Sequence, residues 1–387
     1  MRPEPEGTKM TAVHPQVQKA RDLFPLISAA SPTNDEIRQI DKPVVDALLE
    51  GGFFHMLKPK SVGGMELKPS IFCQVTEALA MADASTGWIT CQGNGCSTTA
   101  AYLPPKVAQE IFGPANGIVA WGPAWTPGAK AEKVEGGYLL NGTWRFASGS
   151  QNATYLGAHI TVHGTKQLLT FLFPKSSVTM EDIWHTIGLR GTASNQYSAE
   201  NLFVPEERAL SRDNAKNRYV ESHLYHFTSG QLYSIGFGGV GLGIGRAVID
   251  AFLALPSGKV ARGAAKPMRE NNVVQSQVAQ CVARWRSARM MLHAAADAAW
   301  DTIVADGEMT LEQKADIRLA STWAIQSSRE VVNTLYHAAG STVIFEENPF
   351  ERRLRDMHTV AQQAQGRQLH YETVGQLMLG LPAENAF

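Results

Sequence analysis

Ser148 closes the run Gly136-Gly-Tyr-Leu-Leu-Asn-Gly-Thr-Trp-Arg-Phe-Ala-Ser-Gly-Ser150, in which Trp144, Phe146 and Ser148 occupy alternate positions. Alternate residues of a strand share a face, so the run predicts two aromatic rings and a hydroxyl presented together. A flat apolar wall with one placed hydroxyl suits a planar heteroaromatic ring. The same run also reads as an ordinary half-buried strand that ends at a Ser-Gly turn. Two more hydroxyls, Thr192 and Ser194, lie in Trp184-His-Thr-Ile-Gly-Leu-Arg-Gly-Thr-Ala-Ser194, beside Arg190. Gly188 and Gly191 permit a tight backbone path there, although a plain surface turn fits as well. In Asn348-Pro-Phe-Glu-Arg-Arg-Leu-Arg-Asp356, the spacing puts Arg352, Arg355 and Asp356 on one helix face. Such a set anchors a buried network or stands as a solvated charge cluster. His226 and Tyr233 are seven residues apart, two helical turns, so a helix through both would turn them to one cavity.

Other chemistries are disfavoured. Gly236-Phe-Gly-Gly-Val-Gly241 matches a dinucleotide-loop pattern but falls inside a helical stretch, LYSIGFGGVGLGIGRAVIDAFL. A strand and a tight turn must precede such a loop, so the run reads as a helix face kept small for a close neighbour. Four cysteines in 387 residues, none in CxxC spacing, argue against a disulfide scaffold and against a metal site. Lys+Arg of 35 against Asp+Glu of 36 offers no basic excess for nucleic acid or an anionic membrane. The opening MRPEPEGTKM has no apolar core of a signal segment, so a cytoplasmic location is expected.

The elements that must position these residues change along the chain. Val13–Leu26, Asp35–Glu50 and Ile71–Ala82 repeat apolar residues at helical spacing, and Asp83 is placed to cap a further helix. From about Gly117 to Pro205 the runs are aromatic and β-branched, with Gly, Asn and Pro between them. Helical patterns return in Leu224–Leu255, Asn272–Ala305, Thr310–Ala339 and Asp356–Leu379. The order gives an α+β chain without βαβ alternation, divided at 1–115, 116–207 and 208–387.

Taken together, the three chemical segments resemble the acyl-CoA dehydrogenase superfamily, and within it the flavin-dependent monooxygenases of two-component systems. The resemblance spans about Ile37 to Gly380. Lys58-Pro-Lys-Ser-Val-Gly-Gly64 and Asp83-Ala-Ser-Thr-Gly-Trp88 are similar to two further family segments. It implies an N-terminal helical domain, a middle β-barrel or sandwich and a C-terminal four-helix bundle. It implies Ser148 as the hydroxyl near flavin N5, with Trp121, Trp144, Phe146, Arg190, Thr192, Ser194 and Arg355 also at the flavin. Trp88, Gln92, His226, Tyr233 and Gln363 then fall to the substrate. Lys259-Val-Ala-Arg-Gly263 is loosely similar to a stretch that holds the flavin diphosphate across a subunit interface.

The catalytic carboxylate of acyl-CoA oxidation is missing, since its two family positions fall at Ala364 and near Tyr233. The histidines of phenol-hydroxylating relatives are missing too, at Gln363 and near Gln92. A substrate already electron-rich without deprotonation, such as an indole, or a soft sulfur or nitrogen centre, needs no such base. The expectation is therefore an oxygenase that receives FADH2 or FMNH2 from a separate NAD(P)H:flavin reductase. Oxygen adds to the flavin at C4a, and the hydroperoxide passes one atom to a small aromatic or heteroaromatic substrate. A homotetramer is what the resemblance implies. A dehydrogenase or oxidase of the same fold, and a non-catalytic binding member, stay as alternatives.

Overall fold

The structure, a computed structural model, describes residues 13–123, 126–255, 258 and 266–383. Helices α1 (Pro15–Asp22), α2 (Phe24–Ile37), α3 (Lys42–Glu50), α4 (Pro69–Ala82), α5 (Ala84–Ser97) and α6 (Pro105–Phe112) come first. Proline occupies the first turn of all of these except α5, where a missing N–H costs nothing. Asp83 caps α5 instead, its carboxylate accepting from the Thr86 amide at 2.8 Å. The first helices break differently from the sequence reading. α1 ends at Asp22, and α2 ends where Arg38 takes a left-handed φ of 56°.

Strands follow: β1 (Val119–Ala120), β2 (Lys130–Val134), β3 (Gly137–Ala147), β4 (Tyr155–Thr161), β5 (Leu168–Pro174), β6 (Thr179–Glu181), β7 (Asn195–Pro205) and β8 (Ala209–Leu210). They form two four-stranded sheets, ordered β1-β4-β5-β8 and β2-β3-β7-β6. Aromatic rings from both sheets meet between them, Trp144 with Phe173 at 6.3 Å and Tyr138 with Phe171 at 5.1 Å. This is a sandwich core built from alternating inward residues.

Helices α7 (Ser229–Leu253), α8 (Asn272–Asp306), α9 (Leu311–Ala339), α10 (Pro349–Gln362) and α11 (Leu369–Met378) complete the chain. Thr228 and Gln231 form a reciprocal capping box at the start of α7. The glycine run lies inside α7, as its helical context predicted. A Cβ at Gly236 would meet Phe72 and Cys91, and one at Gly239 would meet Thr76 and the Cys73 carbonyl. α4 therefore approaches closely enough for the Thr76 hydroxyl to donate to the Gly236 carbonyl at 3.0 Å. On the other side Gly241 and Gly245 face Ile325 and Ser328 of α9. α7 is apolar and long enough to cross a membrane, yet 94% of its most apolar window is buried inside the fold. The helix expected over Asp356–Leu379 is interrupted. Gln363 turns extended at ψ 167°, and a short 3-10 turn, Ala364–Gly366, separates α10 from α11.

Candidate active site

β3 does not keep its alternation to the end. Its pairing with β7 shifts between Trp144 and Ala147, and Phe146 takes a left-handed φ of 63°. Trp144 therefore points inward, 1% exposed and stacked on Tyr197 at 5.3 Å, while Phe146 points outward, 56% exposed. The expectation that Trp144, Phe146 and Ser148 share a face is corrected, and Trp144 belongs to the sandwich core, not to a ring-binding wall. Phe146 meets the edge of Trp184 at 6.0 Å.

Beyond the kink Ser148 is buried and sits in a line of polar groups. Trp88 Nε1 of α5 donates to Ser148 Oγ at 3.0 Å. Ser148 Oγ lies 2.5 Å from Ser194 Oγ, which lies 2.7 Å from Thr192 Oγ1, and Thr192 donates to the Leu189 carbonyl at 2.8 Å. The turn that supplies Thr192 and Ser194 is held from outside. Leu189 and Ala193 are both left-handed, at φ 50° and 44°. Leu189 N–H donates to Asp356 Oδ1 of α10 at 2.6 Å, and Trp184 Nε1 to the Leu189 carbonyl at 2.9 Å. Gly188 packs on the α10 backbone, where a Cβ would strike the Arg355 carbonyl. Asp356 is buried, and burial followed by the field of Asp83 pushes its carboxyl up to about 7.

An aromatic cluster continues from Trp88. Phe237 of α7 packs on it at 4.1 Å, and Tyr233 stacks on Phe237 at 5.7 Å. Tyr233 Oη is 3.3 Å from Cys96 Sγ, and Gly95 leaves the room its ring needs. Gln92, one turn after Trp88, donates to the Trp121 carbonyl at 3.1 Å. Trp121 packs edge-on against His159 at 5.0 Å and lies 5.3 Å beneath the Arg212 guanidinium. Among the described residues Arg212 forms no ion pair.

Residues 235–367 match the family model described as acyl-CoA dehydrogenase, C-terminal domain. An indole-3-acetate monooxygenase of Pseudomonas putida is 32% identical over 89% of this chain and 89% of its own length. The chain belongs to the flavin-dependent monooxygenases of the acyl-CoA dehydrogenase superfamily. A second indole-3-acetate monooxygenase, from Acinetobacter baumannii, is 27% identical over 90% of this chain and 89% of its own. The crystal structure of a 3-HSA hydroxylase from Rhodococcus sp. RHA1 superposes with a TM-score of 0.89, at 23% identity, over 96% of this chain and 98% of that one, and shares its fold. The chain is thus the oxygenase component of a two-component system, using reduced flavin and molecular oxygen, with a separate reductase as its electron source.

The donor set fits an isoalloxazine in this monooxygenase. Ser148, backed by the buried Ser194 and Thr192, gives a placed hydroxyl, and Phe146 leaves an exposed ring face at the same end of β3. Other expected site residues have partners within the chain. Arg355 is taken by Asp35 at 3.1 Å, Glu351 at 2.7 Å and the Ile187 carbonyl at 2.6 Å. Arg190 Nε donates to the Asp35 carbonyl at 2.9 Å. Both arginines brace the 186–190 segment against α2. His226 is not on the Tyr233 helix: it lies in a 3-10 turn before α7, 3.4 Å from Arg218. Gln363 accepts from the Gln365 amide at 3.0 Å, folded back on its own chain end. The Lys259–Gly263 stretch lies outside the described residues.

The titratable groups of this cluster are held neutral. Burial pushes Tyr233 well above its usual range and Cys96 up to about 12, and drives His159 well below 6.5 so that it is neutral. Sequence reasoning missed Phe237, Cys96, Arg212 and Asp35. Phe237 follows Tyr233 by one helical turn, a spacing that could have found it. A surface cleft of about 950 Å³ lined by Tyr102, Tyr138, Glu206 and Lys216 lies at the Gly137 end of β3, the far end from Ser148.

Proposed function

We propose that this oxygenase acts on an indole carrying a carboxylate side chain, inserting one oxygen atom, as a cytoplasmic homotetramer that accepts either FMNH2 or FADH2. When bound, the reduced flavin supplies the activation of oxygen. The protein's own part is to bind, orient and exclude water. The observation that carries the reading is the aromatic cluster of Trp88, Phe237 and Tyr233 that begins at Ser148. A planar, electron-rich substrate gains from such a wall and needs no deprotonation. Arg212 above Trp121 is a cation suited to an acid side chain. The indole-3-acetate relatives support the same substrate class.

The test supplies chemically reduced FMN or FAD and labelled oxygen to the purified protein with indole-3-acetate, indole or a phenol. Incorporation of one labelled atom into indole-3-acetate, faster than into either other compound, is expected. Preference for the phenol by ten-fold or more overturns the substrate assignment. Reduction of bound oxidised flavin by substrate alone would instead show a dehydrogenase.

A further inference from the structure

Arg212 lies two residues past Leu210, which ends β8 and pairs with Thr170 of β5. The next residue, Asp213, takes a left-handed φ of 60°, a conformation that aspartate adopts more readily than most side chains. Its carboxylate forms no ion pair with the neighbouring guanidinium and is committed elsewhere. Asp213 Oδ1 accepts from the Ser229 amide at 2.8 Å, and Oδ2 accepts from the Ser229 hydroxyl at 2.7 Å. Ser229 is buried and opens α7, four residues before Tyr233. A carboxylate that accepts from the first amide of a helix makes a charge-assisted bond at the positive end of the helix dipole. The backbone of Arg212 is thus tied on one side to the sheet and on the other to the helix that carries Tyr233 and Phe237. Its charge is felt inside the aromatic cluster: burial raises Cys96 and Tyr233, and the field of Arg212 opposes that rise.

We propose that Asp213 is a positioning residue for the carboxylate of the substrate, acting through Arg212. It latches the connection between β8 and α7 onto Ser229, holds the guanidinium over Trp121 and leaves that charge unneutralised. The inference rests on the reading that Arg212 receives the acid side chain, and it adds the residue that sets the place of Arg212. A latch and a bare charge predict opposite signs. If Asp213 acted only as a negative charge beside Arg212, its removal would strengthen the attraction for an anionic substrate. As a latch, its removal frees Arg212 to leave the Trp121 ring and weakens that attraction. Asp213→Asn separates the two, because it loses the charge yet keeps an oxygen for the Ser229 amide and an N–H for the Ser229 hydroxyl.

The experiment is steady-state kinetics of the full chain with reduced FMN, oxygen and either indole-3-acetate or indole, with thermal melts to verify folding. Wild type, Asp213→Ala, Asp213→Asn, Ser229→Ala, Arg212→Gln and the double variant Asp213→Ala with Arg212→Gln are compared. Asp213→Ala should raise KM for indole-3-acetate about ten-fold, with kcat and the KM for indole within about two-fold of wild type. Asp213→Asn should restore the wild-type KM to within about two-fold. Ser229→Ala removes one of the two bonds and should raise KM for indole-3-acetate about three-fold, so it decides the matter where Asp213→Ala does not fold. In the double variant the loss at Asp213 should add nothing to that of Arg212→Gln, because both act through one guanidinium. A lowered or unchanged KM for indole-3-acetate in Asp213→Ala, an equal rise for indole, a failure of Asp213→Asn to restore, or additive losses overturns the proposal. An Arg212→Gln variant with an unaltered KM for indole-3-acetate brings down the reading of Arg212 itself, and the latch with it.

Discussion

Arg212 sits over an indole ring and among the described residues has no carboxylate to neutralise it. If it receives the acid side chain of the substrate, Arg212→Gln should raise KM for indole-3-acetate about ten-fold or more and leave that for indole nearly unchanged, which steady-state kinetics will read. An equal rise for both would assign Arg212 to packing on Trp121 alone. Much of the site was legible at this scale. Ser148, Thr192 and Ser194, put forward together as hydroxyls, are joined by the structure, and Trp88, given to the substrate, is bonded to the first of them. Trp144 was misread for a definite reason. Alternation assumes extended backbone throughout, and a left-handed non-glycine residue such as Phe146 reverses the faces without any mark in the sequence. The partners of the arginines were not legible because a guanidinium's partner is chosen by tertiary placement, and Asp35 lies more than three hundred positions from Arg355.

Two elements fix the site, and each invites a substitution. α10 holds the 188–194 turn through a single carboxylate. Asp356→Ala leaves the buried Leu189 N–H without its acceptor and should lower stability by about 1–3 kcal/mol. It should weaken flavin binding as well, because Thr192 and Ser194 ride on that turn; denaturant titration and dialysis measure the two effects. α7 is held by its small face. Gly239→Val places methyl groups against Thr76 and the Cys73 carbonyl and should cost about 1–3 kcal/mol of overpacking, read as a lowered Tm. That face was legible, since glycines on a helical stretch leave a flat surface for a neighbour. The break at Gln363 was not. Nothing in Met357–His370 is a proline, and its single glycine, Gly366, lies three residues past the break. The chain turns there to place Gln365 on Ser234, 2.6 Å away, a tertiary cause that periodicity does not see.

For the whole molecule, the helix–strand–helix order was legible because each third has a different residue texture, and the two sheets and the bundle follow from it. Stability against pH is a property at this scale. Asp356 has its carboxyl raised in the fold, from 3.8 to about 7, chiefly by burial. Between those values the native chain binds a proton that the unfolded chain has lost, so this group lowers stability as pH rises through the window. Denaturant midpoints at pH 5 and 7.5 should draw closer together in Asp356→Asn, which has no proton to lose and still accepts from Leu189; an unchanged gap would place the pH dependence elsewhere. The pairing of Leu189 with Asp356 spans 167 positions of the chain. A ribosome therefore releases the entire sandwich well before the group that sets its ligand-binding turn has been translated. Until Asp356 emerges, the Leu189 N–H has no acceptor from α10, so the turn is fixed late in synthesis.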